Sequence, residues 1–188
     1  QSEAFCYDVY MHLYYVRHGK TQGNIDQNYI GRMESPLVEE GIQGAIKVGK
    51  EINSSGLRID AIYTSSLDRQ RKSAELIAQQ IGYPIEKIVQ NDLLFERAGG
   101  SFEGKPYSEF FSATEEEQIA AGAESFKDLA SRATQMVHTA EEAHAEGTVL
   151  FVGSAATGEM MRAIIKYNDH TKMFDDGQLP NSELVKFI

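Results

Sequence analysis

Apolar and polar positions along this chain fall into blocks whose period switches between that of a strand and that of a helix. Residues 12–16, HLYYV, form a short apolar run that predicts a buried strand. A polar, glycine-containing stretch follows to about residue 40. Ile42, Ile46, Val48 and Ile52 then recur at helical spacing, which predicts a helix over 41–54. IDAIYTS, 59–65, reads as a second strand, and LDRQRKSAELIAQQIG, 67–82, as an amphipathic helix stopped by Gly82. Residues 88–106 are mixed and broken by Gly99-Gly100 and Gly104-Lys105-Pro106. The acidic run from Ser108 to Gly122 is read as helical surface, and 125–146 as one long helix closed by Gly147. TVLFVG, 148–153, is a continuous apolar run of the kind found in a central parallel strand. A helix over roughly 158–167 follows, and ELVKFI ends the chain as a last strand.

Strands alternating with helices predict an α/β fold, a mostly parallel central sheet with helices on both faces. With 188 residues, no internal repeat and no linker, residues 11–188 read as a single domain with room for a core. In such sheets ligands bind beyond the carboxyl ends of the strands. Three predicted strand exits carry polar residues: Arg17-His18, the stretch from Ser65 to Arg69, and Gly153-Ser154.

Charge and cysteine usage narrow the partners. A formal net charge of -10 weighs against nucleic acid as a partner, although an acidic protein can still hold a local basic pocket. One cysteine, Cys6, makes no internal disulfide, so a cytoplasmic setting is expected. No apolar stretch approaches the roughly 20 residues that span a bilayer, so no membrane association is expected. Residues 1–10 precede Met11 and lack the basic-then-apolar order of a signal peptide; they read as a tag or a processed N-terminal extension. Oligomeric state is not legible.

The candidate chemistry sits at the strand exits. A histidine near a strand end is ordinarily structural, but His18 follows Arg17, whose planar fork of donors suits phosphate. Gly19 allows close backbone approach, and Thr21 and Asn24 add neutral donors. Arg69, early in a helix, opposes the helix dipole, an arrangement easier to understand with an anion between the two. Glu96, in DLLFERAGGSFEGK, becomes a general-acid candidate if it faces the same pocket. Two other patterns lead nowhere. Gly44 to Lys50 spells a phosphate loop, but Glu51 follows it and the segment reads as mid-helix. NDHTKMFDD, 168–176, has acids and a histidine at no familiar metal-ligand spacing, so no metal is expected.

In combination these residues resemble the histidine phosphatase superfamily, also called the phosphoglycerate mutase-like family. Its R-H-G then T-x-x-N signature is matched by Arg17-His18-Gly19, Thr21 and Asn24, and its S-x-L-x-R by Ser65 to Arg69. Leu94-Phe95-Glu96 with Gly100 to Gly104 matches a third element, GRMESPLVEEG (31–41) a fourth, and LPNSELVKF (179–187) a fifth. The elements fall in family order over nearly all of residues 12–188. The resemblance implies a phosphoglycerate mutase-like fold and hydrolysis of a small phosphate monoester without a cofactor. His18 is the implied nucleophile, forming a phosphohistidine, and Glu96 the acid; Arg17, Arg69 and Asn24 hold the phosphate. The family also carries a second histidine after the penultimate core strand. Counting from the strand puts Ser154 at that position, and counting back from Arg162 puts Thr157 there. Ser154 is therefore assigned to phosphate binding without a charge, which implies slow turnover. Mutase-type phosphoryl transfer, or a degenerate member that binds phosphate without catalysis, are the alternatives. Substrate contacts are expected from the loops near 25–35 and 97–125, with Arg32, Arg97 and Lys105 as candidates.

Overall fold

The computed structural model describes residues 11–188; Cys6 and the rest of the stretch 1–10 lie outside the described residues. Among these residues five strands form one sheet: β1 His12–Arg17, β2 Ala61–Thr64, β3 Val89–Gln90, β4 Thr148–Gly153 and β5 Leu184–Lys186. The helices are α1 Gln22–Ile25, α2 Glu39–Ser55, α3 Asp68–Ile81, α4 Tyr107–Ser112, α5 Glu115–Ala120, α6 Phe126–Ala143 and α7 Ala155–Tyr167. The strand order is β3-β2-β4-β1-β5, parallel throughout except for β5, which runs antiparallel to β1.

The central strands β2 and β4 and most of β1 are apolar because both faces of the sheet are covered there. Leu13, Tyr15, Tyr63, Val149 and Phe151 point to one face and pack with Leu129, Met136, Met160 and Met161 of α6 and α7. The alternate positions, Val16, Ile62, Leu150 and Val152, pack on the other face with Val48, Ile52, Ala74 and Ile77 of α2 and α3. Gly82 ends α3 at φ 69°, a left-handed cap that glycine adopts without strain. A small separate cluster of Tyr29, Phe110 and Ala123, with Phe102 and Tyr107 against it, packs the segment between β3 and α6 onto the loop after α1.

Several elements differ from the pattern read in the sequence. β3 went unpredicted: Val89 and Gln90 are an exposed two-residue edge strand, too short to show a period. The run 108–122 is helical as read, and is divided into two helices because Thr114 starts α5 with its own capping box to Glu117. α7 begins at Ala155, not near 158. Ser154 leaves β4 in extended N-cap geometry, and Ala155-Ala156, strong helix formers, begin the first turn at once. The phosphate-loop look-alike at Gly44 to Lys50 lies inside α2. Among the described residues no helix is long and apolar enough to cross a membrane.

Candidate active site

Because β1, β2 and β4 run parallel, their exits share one edge of the sheet. Arg17 closes β1 opposite Gly153, and the next amide, His18 N–H, donates to the Gly153 carbonyl at 2.8 Å. On the other side Asn181 Nδ2 donates to the His18 carbonyl at 2.7 Å. Gly19 has to be glycine: a Cβ there would lie 2.3 Å from the Gly41 carbonyl oxygen of α2. Its N–H donates to Ser73 Oγ of α3 at 2.9 Å. The backbone carrying the imidazole is thus tied to two neighbouring elements before the side chain does anything.

The ring itself is oriented at both nitrogens. His18 Nδ1 lies 2.8 Å from the Gly19 carbonyl, and Nε2 lies 3.3 Å from Arg69 Nε. A carbonyl only accepts, so Nδ1 carries the proton and Nε2 keeps its lone pair, accepting from the arginine. The residue is 4% exposed. Burial, reinforced by the charges of Arg69 and Arg17, holds its pKa well below the ordinary histidine range. The neutral, nucleophilic ring is therefore the form present at pH 7.

Arg69 is the second residue of α3 and is 2% exposed. Its Nη1 donates to the Met33 carbonyl at 2.8 Å and its Nη2 to the Gly31 carbonyl at 2.6 Å, which folds the 31–41 segment against the site. Arg17 donates from Nη1 to the Leu179 carbonyl at 2.8 Å, while its Nε is buried with no partner. A buried guanidinium donor left unpaired beside a neutral imidazole points to an anion as its natural partner.

Glu96 follows a short turn at Asp92–Leu94; its Oε1 accepts from the Arg97 N–H at 2.8 Å. Asn24 completes the capping box of α1, with Oδ1 accepting from Thr21 N–H and Oγ1, both at 3.1 Å, and Nδ2 donating to Tyr107 at 3.4 Å. Arg17, His18, Asn24, Arg69 and Glu96 all line one cavity. Ser154 does not line it. Its hydroxyl accepts from Gln70 Nε2 at 2.5 Å, and Gln70 Oε1 accepts from Ser65 at 2.6 Å, a closed buried chain; Ala155 and Ala156 form the cavity wall instead. Thr157, the other position considered, is also buried: it donates to the Phe95 carbonyl and accepts from Arg132 at 3.4 Å. It anchors the turn that carries Glu96.

Among the loop cations, Arg97 lines the cavity, with Nε donating to the Glu124 carbonyl at 2.7 Å and its guanidinium 4.0 Å from the Phe126 ring. Arg32 instead pairs with Glu124 and donates to the Glu96 carbonyl at 3.3 Å, and Lys105 lies over Phe102; neither lines the cavity. The residue missed by sequence reasoning is Glu159. It lines the cavity from α7, is 6% exposed, and burial pushes its pKa up to about 7. Its signal was a lone acid in the apolar helix ATGEMMRAI, four positions after Ala155; starting that helix near 158 hid the shared face. Tyr107, Phe111, Phe126 and Phe174 supply an aromatic mouth. Among the described residues no cluster of three or more His, Cys, Asp or Glu is placed to hold a metal ion.

Comparison with known proteins adds the following. The family described as "Histidine phosphatase superfamily (branch 1)" matches residues 13–187. The chain is 30% identical to the 2,3-bisphosphoglycerate-dependent phosphoglycerate mutase of Bartonella quintana, over 81% of this chain and 79% of that protein. A shorter match to the enzyme of the same name from Bartonella bacilliformis is 37% identical over 49% of this chain and 45% of the relative, less than half of its length. Among solved structures, YhfR of Bacillus stearothermophilus superposes with a TM-score of 0.80 at 26% identity, covering 94% of this chain and 90% of that one. The alpha-ribazole phosphatase of Shigella flexneri superposes with a TM-score of 0.79 at 19% identity, covering 94% and 89%, which speaks to the fold alone.

Proposed function

The chain belongs to branch 1 of the histidine phosphatase superfamily, and from that premise we propose that it is a phosphomonoesterase working through a phosphohistidine at His18. The observation that carries this reading is the state of the ring. Nδ1–H donates to the Gly19 carbonyl, Nε2 accepts from buried Arg69, and the charge that would quench the nucleophile is held off. A phosphate dianion entering the cavity pairs with Arg17 Nη2, which is neither hydrogen-bonded nor enclosed, and draws Arg69 Nε away from the imidazole. The lone pair of Nε2 attacks phosphorus in line. The P–N bond forms as the bond to the alcohol oxygen breaks, and Glu96 gives that oxygen its proton. Water then attacks the phosphohistidine, Glu96 takes the water's proton, and inorganic phosphate leaves with His18 neutral again. In this scheme the two arginines supply the positive field.

We read the family's second histidine as replaced. Both positions that could hold it, Ser154 and Thr157, carry hydroxyls already engaged inside the protein. Losing one preorganised donor to the phosphoryl oxygens slows turnover by about 10²- to 10³-fold, so the enzyme is expected to be slow. A second reading, phosphoglycerate mutase-type transfer, rests on the name of the relatives at 30% identity. It would place its second anion on Arg97, the remaining arginine of the cavity, whose Nη2 has no partner among the described residues. A third reading, phosphate binding without chemistry, is favoured by the engaged Ser154 hydroxyl.

Hydrolysis of p-nitrophenyl phosphate by the parent chain and by His18→Ala separates these. Turnover that disappears with the imidazole supports the phosphatase. Conversion of 3-phosphoglycerate to its 2-isomer revives the mutase, and inorganic phosphate that binds with no turnover marks the binding module.

A further inference from the structure

Glu159 has no task in the chemistry above, yet it occupies the cavity wall. It sits on the second turn of α7, on the same face as Ala155 and Ala156, and all three line the cavity. Its Oε1 accepts from the Leu179 N–H at 3.1 Å, and Arg17 holds the carbonyl of that same residue. Its Oε2 has no partner among the described residues and is not enclosed, so one carboxylate oxygen remains open to the cavity. Burying a carboxyl this deeply is costly unless something uses it.

The rest of the wall says what could. The charged groups lining the cavity are three arginines and two glutamates, with His18 neutral. Arg17 and Arg69 face the phosphoryl group; Arg97 donates from Nε to the Glu124 carbonyl and lies over Phe126, with its Nη2 unpaired. Beside them stand the open oxygen of Glu159 and the rings of Tyr107, Phe126, Phe111 and Phe174, the last two being 62% and 58% exposed. A carboxylate and π faces in one pocket are complementary to an ammonium group.

We propose that Glu159 is a specificity-determining residue that selects phosphomonoesters whose alcohol part carries an amino group. The proposal takes from the phosphatase reading only the placement of the phosphate at Arg17 and Arg69. It adds a charge preference at a position the catalytic residues do not occupy.

The test uses three phosphonates with one linker and different ends: 3-aminopropylphosphonate, butylphosphonate and 4-phosphonobutyrate. These are not hydrolysed, so calorimetric affinities are obtained whether or not the protein turns over p-nitrophenyl phosphate; a failed phosphatase reading shows in that assay and a failed proposal in the affinities. At pH 8, above the Glu159 pKa of about 7, the carboxylate is formed and the amine is still protonated. The parent protein is expected to bind the amino ligand more tightly than the neutral one. Glu159→Gln keeps an acceptor for Leu179 and is expected to weaken the amino ligand about tenfold, the loss of one charge pair, and to tighten the carboxyl ligand, leaving the neutral ligand nearly unmoved. A merely structural role would weaken all three alike and overturns the proposal. If the variant fails to fold, the parent's own order decides, and an amino ligand bound no better than butylphosphonate overturns it.

Discussion

β1 and β4 lie side by side in register and leave the sheet together, yet their exits do opposite things with polar atoms. β1 delivers Arg17 and His18 to the cavity wall with a guanidinium Nε unpaired and an imidazole lone pair held only by a long 3.3 Å bond from Arg69. β4 delivers Ser154, whose hydroxyl is closed into the chain Ser65–Gln70–Ser154 and whose following residues are two alanines. Both exits are buried and both are hydrogen-bonded at the backbone. What separates them is satisfaction: one exit keeps its hydrogen-bonding capacity in reserve, the other has spent it inside the protein. The reactivity proposed at this edge rests on the reserve, which burial alone does not create.

The largest way to break that contrast is to remove the reserve. His18→Ala is expected to lower p-nitrophenyl phosphate turnover by about 10⁴-fold or more, since the nucleophile itself is lost, with the unfolding midpoint little changed. Retained turnover would mean that the two exits do not differ as described. Glu96→Gln sharpens the assignment of the acid. It should cost about 10²- to 10⁴-fold with alkyl phosphates and much less with p-nitrophenyl phosphate, whose leaving group needs no proton. An equal loss on both substrates would leave Glu96 with a positioning role.

Ser154→Ala probes the other exit. Turnover should change less than its stability: Gln70 Nε2 loses its acceptor in a fully buried place, a loss of about 1–3 kcal/mol read as a lower denaturation midpoint. A large loss of turnover with unchanged stability would show that the hydroxyl serves the phosphate after all.

The smallest effect concerns pH and stability. Glu159 has a folded-state pKa of about 7 against an ordinary 4.5, so the folded state binds its proton more tightly than the unfolded chain does. That stabilising share is full below about pH 4.5 and fades as pH rises through about 7. Glu159→Gln should therefore flatten the decline of thermal stability between pH 5 and 8 relative to the parent. Parallel stability curves would place the carboxyl in water.

Much of this was legible in the order of residues, for identifiable reasons. The central strands and the long helices could be read because both sheet faces are buried: Leu13, Tyr15 and Val16, or Val149 to Val152, are apolar whichever way they point. A histidine near a strand end is ordinarily structural; Arg17, His18 and Arg69 stood out because two arginines beside it at neighbouring strand exits together suit an anion. Two things were not legible. The fate of the Ser154 hydroxyl depends on Gln70, 84 positions away in sequence, and no local pattern announces such a pairing. The role of Glu159 depends on where α7 begins. An alanine pair after a capping serine extends the helix by one turn, and that turn brings the glutamate onto the cavity face. Long-range hydrogen bonds and helix start points were therefore the parts of the site hidden from the sequence.

The measurement that bears most directly on the central claim is chemical trapping of the intermediate. Acid-free quenching during turnover of a phosphomonoester, followed by peptide mass spectrometry and ³¹P NMR, is expected to find an acid-labile phosphoramidate on the Nε2 of His18 and nowhere else. Steady turnover with His18 unmodified, or the phosphoryl group carried on another residue, would contradict the account.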